Sequence, residues 1–384
     1  MKKWILFVAA ALALSSCVYK FTPELDNDVK KTLVVDGKIL VGGISTIQLS
    51  YLLPLSSNTP VSAPFGRAWI EDDLGNIYRP QNGQEYGNVF NIQTAMSTHG
   101  PDVTKASQFR AVVQVDGEMY SSAWLTPDPA PEITNISFTL SATDEVQVMV
   151  DLKTGVDDTG FYGFMFEEDW EFHSDYYPQY FIDPETWEYY QPIGGYPFYW
   201  CFRHASSSRM VLLNAQSLEA ENGVIKQIPV QSFARWDGRN HRKYSILVSA
   251  FALSKEAYDF TDQLQEISDV GGDLFTPDPG SLGTNLVCET KPELEVMGMV
   301  LAGRVTGKRA FMSNIYLINR IPQASLINVE REKMPEMYFE KNYRPVADAL
   351  VDDVLVVGWG PHRCINCIEA GGTQEKPVFW DNEQ

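Results

Sequence analysis

The groups in this 384-residue chain that could do chemistry are five cysteines, five histidines and a large surplus of carboxylates. The histidines, His99, His173, His204, His241 and His362, are scattered and never form an HExxH pair. No GxSxG elbow, P-loop or dinucleotide fingerprint occurs. Asp and Glu together number 50, so an acid–base pair for glycoside cleavage could be drawn from them, yet no spacing singles one out. Asp157-Asp158 after Gly155 reads as a turn, because no EF-hand spacing follows. The expectation is a non-enzymatic protein with no catalytic residues, no metal and no cofactor.

Cys17 carries the clearest signal. Lys2 and Lys3 precede the apolar run Trp4 to Leu14, and Leu14-Ser15-Ser16-Cys17 has the form of a bacterial lipobox. The run is too short to span a bilayer and suits the core of a secretory leader. Residues 1–16 are therefore expected to be removed, with acylated Cys17 as the new N-terminus. Acyl chains there would hold the protein to a membrane without a spanning helix. Residues 17–31 are polar and acidic and read as a tether.

The remaining cysteines are Cys201, Cys288, Cys364 and Cys367. In an exported chain an even number suggests two disulfides, and four cysteines allow three connectivities. The short spacing favours Cys364 with Cys367, which leaves Cys201 with Cys288. The alternative, a zinc site in His362-x-Cys364-x-x-Cys367, lacks a second pair of ligands. The net charge of −20 repels nucleic acid, so no nucleic-acid partner is expected.

The elements that must position these groups are mostly strands. Ile47, Leu49 and Tyr51 alternate with polar neighbours, as do Phe109, Ala111, Val113 and Val115. Asp116-Gly117 is a hairpin turn. Residues 32–125 thus read as an immunoglobulin-like β-sandwich. Pro127, Pro129 and Pro131 make 126–131 a stiff linker. A second β-sandwich-like domain follows over 132–320, with alternation at Ile136, Phe138 and Leu140, at Val146, Val148 and Val150, and at Tyr162, Phe164 and Phe166. Its one amphipathic helix, 255–269, is capped by Ser254 and carries Ala257, Phe260, Thr261, Leu264 and Ile267 on one face. Val296 to Arg304 and Arg309 to Ile318 read as two further strands. Residues 321–384 form a C-terminal extension whose CxxC and Trp380 suggest a segment pinned to the body.

Residues 161–202 read as a long aromatic insertion. Tryptophans and tyrosines alternate there with acids, and Pro178, Pro184, Pro192 and Gly194-Gly195 interrupt any regular strand. Rigid amphipathic rings suit stacking on sugars or packing on a protein. Trp170, Tyr176, Tyr177, Tyr180, Trp187, Tyr189 and Tyr190 are the binding candidates; the alternative is a structural flap whose rings bury one another beside Cys201.

Several segments, in order, resemble one family. They are Leu33-Val34-Val35-Asp36-Gly37, Ala68 to Gly75 (AWIEDDLG), Tyr244 to Val248 (YSILV), Leu253 to Tyr258 (LSKEAY), and the ending Cys364-x-x-Cys367, Gly371-Gly372-Thr373, Lys376-Pro377-x-Phe379-Trp380. Together they resemble the Bacteroidota lipoproteins of domain of unknown function 4249. That resemblance implies an outer-membrane lipoprotein, anchored by lipid at Cys17 and encoded beside a TonB-dependent transporter. The implied function is a non-catalytic accessory or ligand-capture subunit of a nutrient-uptake complex. An independent surface lipoprotein binding a glycan or peptide is the alternative, and a cell-envelope hydrolase the third. Exposure to the cell exterior is expected, the periplasmic face being the alternative, since Val18-Tyr19-Lys20-Phe21 stands where surface-export signals place acids.

Overall fold

The computed structural model describes residues 32–52, 62–81, 84–95, 102–155, 159–270, 282–312 and 324–381. The leader, Cys17, the tether, Asp157-Asp158 and the glycines after the helix lie outside the described residues.

The first strands are β1 (Leu33–Val41), β2 (Ile44–Tyr51), β3 (Gly66–Asp72), β4 (Ile77–Tyr78), β5 (Val89–Gln93), β6 (Phe109–Val115) and β7 (Glu118–Ser122). They are followed by β8 (Glu132–Leu140), β9 (Glu145–Lys153), β10 (Phe161–His173), β11 (Phe181–Ile182), β12 (Tyr189–Tyr190), β13 (Trp200–Ser206), β14 (Val211–Asn214), β15 (Val224–Ala234) and β16 (Lys243–Ala252). Helix α1 (Lys255–Val270) precedes β17 (Leu286–Cys288), β18 (Val296–Phe311), β19 (Tyr343–Val351) and β20 (Val354–Pro361). The protein is mostly β and is built on two sandwiches.

The two sandwiches share one large sheet, ordered β13-β10-β16-β18-β1-β2-β5, with β14 also pairing β10. Its β1, β2, β5 end packs on the sheet β17-β7-β6-β3-β4. Alternation places Val35 and Ile39, Ile47 and Leu49, and Phe109, Ala111 and Val113 in that core. The β10, β16 end packs on β15-β9-β8, burying Tyr162, Phe164 and Phe166 against Val146, Val148 and Val150. These are the alternating positions of the sequence, each sending one face inward.

Val296–Arg304 and the start of the second expected strand, 309–311, belong to one strand, and residues 313–318 lie outside the described residues. Val296–Phe311 is one strand whose first half runs parallel to β1, Leu33 opposite Val296 and Val41 opposite Arg304. Its second half runs antiparallel to β16, Ser245 opposite Phe311. Gly298 makes the first half possible: its φ is +95°, and a Cβ there would sit 2.1 Å from the Val35 carbonyl oxygen. The first sandwich is therefore completed by Leu286, Cys288, Val296 and Val300, from far beyond residue 125. The proline segment runs beside this strand, Asp128 bridging Gly303.

Helix α1 starts where expected, with the Ala257 amide donating to Ser254 Oγ at 3.2 Å. It lies on the outer face of the large sheet, Ala257 buried with Phe161, Phe251 and Leu253. Leu264, on the apolar stripe, stays largely exposed because the first turns make the contact.

Candidate interaction site

The aromatic region is shorter than the composition suggests. β10 continues to His173 and β13 begins at Trp200, and the two pair directly, His173 opposite Trp200 and Asp169 opposite His204. Phe166, Trp170 and Phe172 point inward and Glu167, Asp169 and Glu171 outward, with Glu168 the one acid on the inward face. The inserted segment is 174–199. It folds with the C-terminal extension into a cap: Ile182 packs with Val329, Met334 and Trp359, and Tyr176 with Val346, Cys364 and Ile365.

The disulfide differs from both expected pairs. Cys201 on β13 is bonded to Cys367, 166 residues away, with the Cα atoms 5.7 Å apart. Cys288 and Cys364 are buried thiols, the first in the core of the first sandwich. Closeness along the chain does not set closeness in space, and a cysteine pairs with what its sheet face meets. The bond also removes Cys367 from the zinc alternative, and His362 Nδ1 lies 2.6 Å from Glu369 Oε1. Burial lowers the His362 pKa, outweighing the raising effect of Glu369. Among the described residues no group of three or more His, Cys, Asp or Glu could hold a metal ion.

From Cys367 the terminal segment wraps the edge strand β13. Thr373 bridges Phe202. Trp380 is buried on the outer sheet face against Phe202 and Phe311, its carbonyl accepting from Lys243 Nζ at 2.6 Å. The expected pinning of this end is what the structure has.

The candidate rings divide by role. Trp170 lies in the second core, and the Arg239 guanidinium sits 5.2 Å from its ring centre, so it is no surface contact. Tyr176 donates from its hydroxyl to the Ala324 carbonyl at 2.8 Å. Tyr180 donates to Asp348 at 3.2 Å. Tyr189 accepts from Trp359 Nε1 at 2.9 Å, and Trp187 packs edge-on to Tyr338 and Phe339. These four hold the cap together.

Tyr177 and Tyr190 are 44% and 54% exposed, and they stand in a row of rings. Tyr190 stacks on Phe181 at 5.8 Å, and Phe181 meets Tyr196 at 5.6 Å. The Tyr177 hydroxyl accepts from the Tyr196 amide at 3.1 Å, and its ring meets Tyr199 at 5.2 Å. Tyr199 meets Trp200 at 5.3 Å, over which the Arg242 guanidinium sits at 4.3 Å. Burial pushes the Tyr196 hydroxyl up to about 12. Phe181, Tyr196, Tyr199 and Trp200 complete the row but are not among the sequence candidates. Composition marks a dense region, whereas exposure depends on which rings the cap consumes. Such a row offers flat apolar faces with hydroxyl and guanidinium edges, suited to stacking or docking.

Two adjacent acids on β10 face opposite ways. Glu168 points into the second core, where it accepts from Tyr244 at 2.6 Å and Gln231 at 3.1 Å and pairs with Arg239 at 3.2 Å. Burial first, and then the Glu168 charge, raise the Tyr244 hydroxyl pKa far above its usual value. Asp169 points outward to His204 Nδ1 at 2.9 Å and to Arg309 Nη1 at 3.1 Å. His204 Nε2 lies 3.3 Å from Ser206 Oγ, which completes a serine–histidine–aspartate chain that no sequence spacing announced. His204 and Ser206 stand on an exposed pleated face, where the strand amides serve the sheet ladder.

Among solved structures the chain is similar to the crystal structure of chicken CNTN1 FN1-FN3 domains. The identity is 15% and the TM-score 0.16, over 58% of this chain and 62% of that one. It is also similar to trypsin-activated alpha-2-macroglobulin from Escherichia coli, at 11% identity and a TM-score of 0.16, over 59% of this chain and 15% of that one. The chain thus spans less than two thirds of either, and at such scores the fold rests on the strand order itself. No curated protein matches. The family described as Domain of unknown function (DUF4249) matches residues 18–309, which take in the first sandwich, most of the second and nearly all of β18, and this chain belongs to that family.

Proposed function

We propose that the protein is a lipid-anchored, non-catalytic subunit of an outer-membrane nutrient-uptake complex, joined to the membrane through acylated Cys17. Its partner in this reading is a TonB-dependent transporter, and its task is to hold a ligand or cover the transporter mouth. The observation that carries the reading is the row of rings from Tyr190 through Tyr177 to Trp200, outside both cores and fixed by the cap. Rings left in water on a rigid frame are the usual makings of a hot spot. The lipobox supports the address.

The test replaces Tyr177, Tyr190 and Trp200 with alanine together and purifies the protein from native outer membranes. Loss of a stoichiometric transporter from a folded variant supports the subunit reading. Retention of the transporter with loss of glycan or peptide binding would favour an independent capture lipoprotein. The Ser206–His204–Asp169 chain favours a hydrolase as the remaining reading. Its serine and histidine are exposed on the sheet face with Asp169 buried beside them, and the strand amides there are spent in the ladder, so we place it behind the binding role.

A further inference from the structure

β19 and β20 form a hairpin whose two ends have opposite character. At its root Val346 and Trp359 are fully buried, and Ile327 pairs with Trp359 from outside. The distal ladder pairs Leu350 with Leu355 and Val351 with Val354. There Leu350 and Leu355 are 69% and 70% exposed, and Val354 is exposed beside them. Pair partners share a face, so Leu350 and Leu355 occupy one side of the ribbon and Val351 and Val354 the other. The finger is thus apolar on both sides, and beyond its root no described strand extends its sheet.

Asp352 and Asp353 form its tight turn with φ of 50° and 62°. Asn-Gly would make such a two-residue turn at lower conformational cost. Both acidic side chains are exposed at the apex, with the exposed Asp348 below them.

We infer that this hairpin tip is a docking finger that enters an apolar cleft on a protein partner, the cleft ending in basic side chains that meet Asp352 and Asp353. The inference rests on the subunit reading above and gives it a second contact, on the cap but apart from the ring row. Charge decides the occupant. A bilayer would have to receive two carboxylates ahead of the leucines, which is unfavourable. A second copy would bring its own acidic apex against this one, in a chain of net charge −20. A protein cleft with a basic floor satisfies both the apolar flanks and the acidic apex.

The experiment uses the full-length lipoprotein expressed in its native membrane, in three variants: Leu350→Ser with Leu355→Ser, Asp352→Lys with Asp353→Lys, and the ring-row triple alanine. The substituted hairpin positions are exposed, so folding is checked simply by an unchanged melting curve. The inference expects each hairpin variant to lose a stoichiometric partner at least about tenfold. It also expects a cysteine at Val354→Cys to be shielded from maleimide in the purified complex and reactive in the isolated protein. Unchanged partner recovery in both hairpin variants overturns it, and so does equal maleimide reactivity in the two states. Tip-dependent binding of the isolated protein to vesicles of phosphatidylethanolamine and phosphatidylglycerol, or tip-dependent dimerisation by sedimentation, also overturns it. If the hairpin variants lose the partner while the ring triple keeps it, the finger stands and the ring row falls. The reverse pattern removes the finger and leaves the ring-row reading intact.

Discussion

Cys201, on the edge strand of the large sheet, is bonded to Cys367, and Gly372 lies against that bridge so closely that a Cβ there would sit 2.6 Å from the Cys201 Cβ. The terminal segment is thereby fastened at β13, the edge strand it crosses before Trp380 reaches β16 and β18.

Peptide mapping under denaturing alkylation should find Cys201 and Cys367 linked, with Cys288 and Cys364 modified. Cys367→Ser should cost about 2–4 kcal/mol, from removing a long loop constraint. Limited proteolysis should then release the terminal segment first. A linked Cys364–Cys367 peptide would refute this assignment.

Glu168 is nearly fully buried and serves Tyr244, Gln231 and Arg239 at once. Glu168→Ala should destabilise the protein by roughly 1–3 kcal/mol in urea unfolding, because the buried Tyr244 hydroxyl loses its acceptor while the half-buried Arg239 keeps only Asp237. Replacing Glu168 and Arg239 together by methionine should recover part of that loss. Equal losses in the single and double variants would show that the pair is not the cause.

Asp72 governs an acid-sensitive turn. Burial works to raise its carboxyl, but donors from Asn76, Tyr78 and the Leu74 amide prevail and hold its pKa below the usual carboxylate value. A group lowered on folding stabilises the protein above the unfolded pKa and loses that contribution as pH falls through the folded one. Stability should therefore drop below about pH 4. Asp72→Asn should flatten that part of the stability–pH curve and cost ~1–3 kcal/mol at neutral pH. An unchanged curve in the variant would remove Asp72 as the source.

Ser206 tests the chemistry. A fluorophosphonate probe should leave the wild-type protein unlabelled, since hydrogen bonding alone does not supply an oxyanion site. Labelling that disappears in Ser206→Ala would establish a nucleophile and reverse the non-catalytic reading.

The alternation of Phe109 to Val115 and of Val146 to Val150 gave both cores directly, because a half-buried strand writes its period into its own residues. β18 was legible as strand at Val296–Arg304 and again from Arg309, but not as one continuous strand, since Gly307 falls between the two stretches and the partners β1 and β16 come from distant parts of the chain. The rings were legible as a cluster but not as a surface. Tyr176, Trp187 and Tyr189 look like Tyr177 and Tyr190 until residues 324–365 arrive to bury them. The hairpin tip was not legible either, because Leu350, Leu355 and Val354 come together only once β19 and β20 pair, and Asp352-Asp353 lacks the glycine that marks a two-residue turn.

The parallel run of β1 along β18 bears on how the protein would carry load. A pull applied ahead of Leu33 is directed along β1, so the ladder from Leu33–Val296 to Val41–Arg304 is strained in shear rather than unzipped from one end. Because β18 continues into the second sandwich, tension entering at the N-terminus passes into both halves. In single-molecule stretching, the N-terminal strand should rupture in one high-force event rather than peel away in small steps.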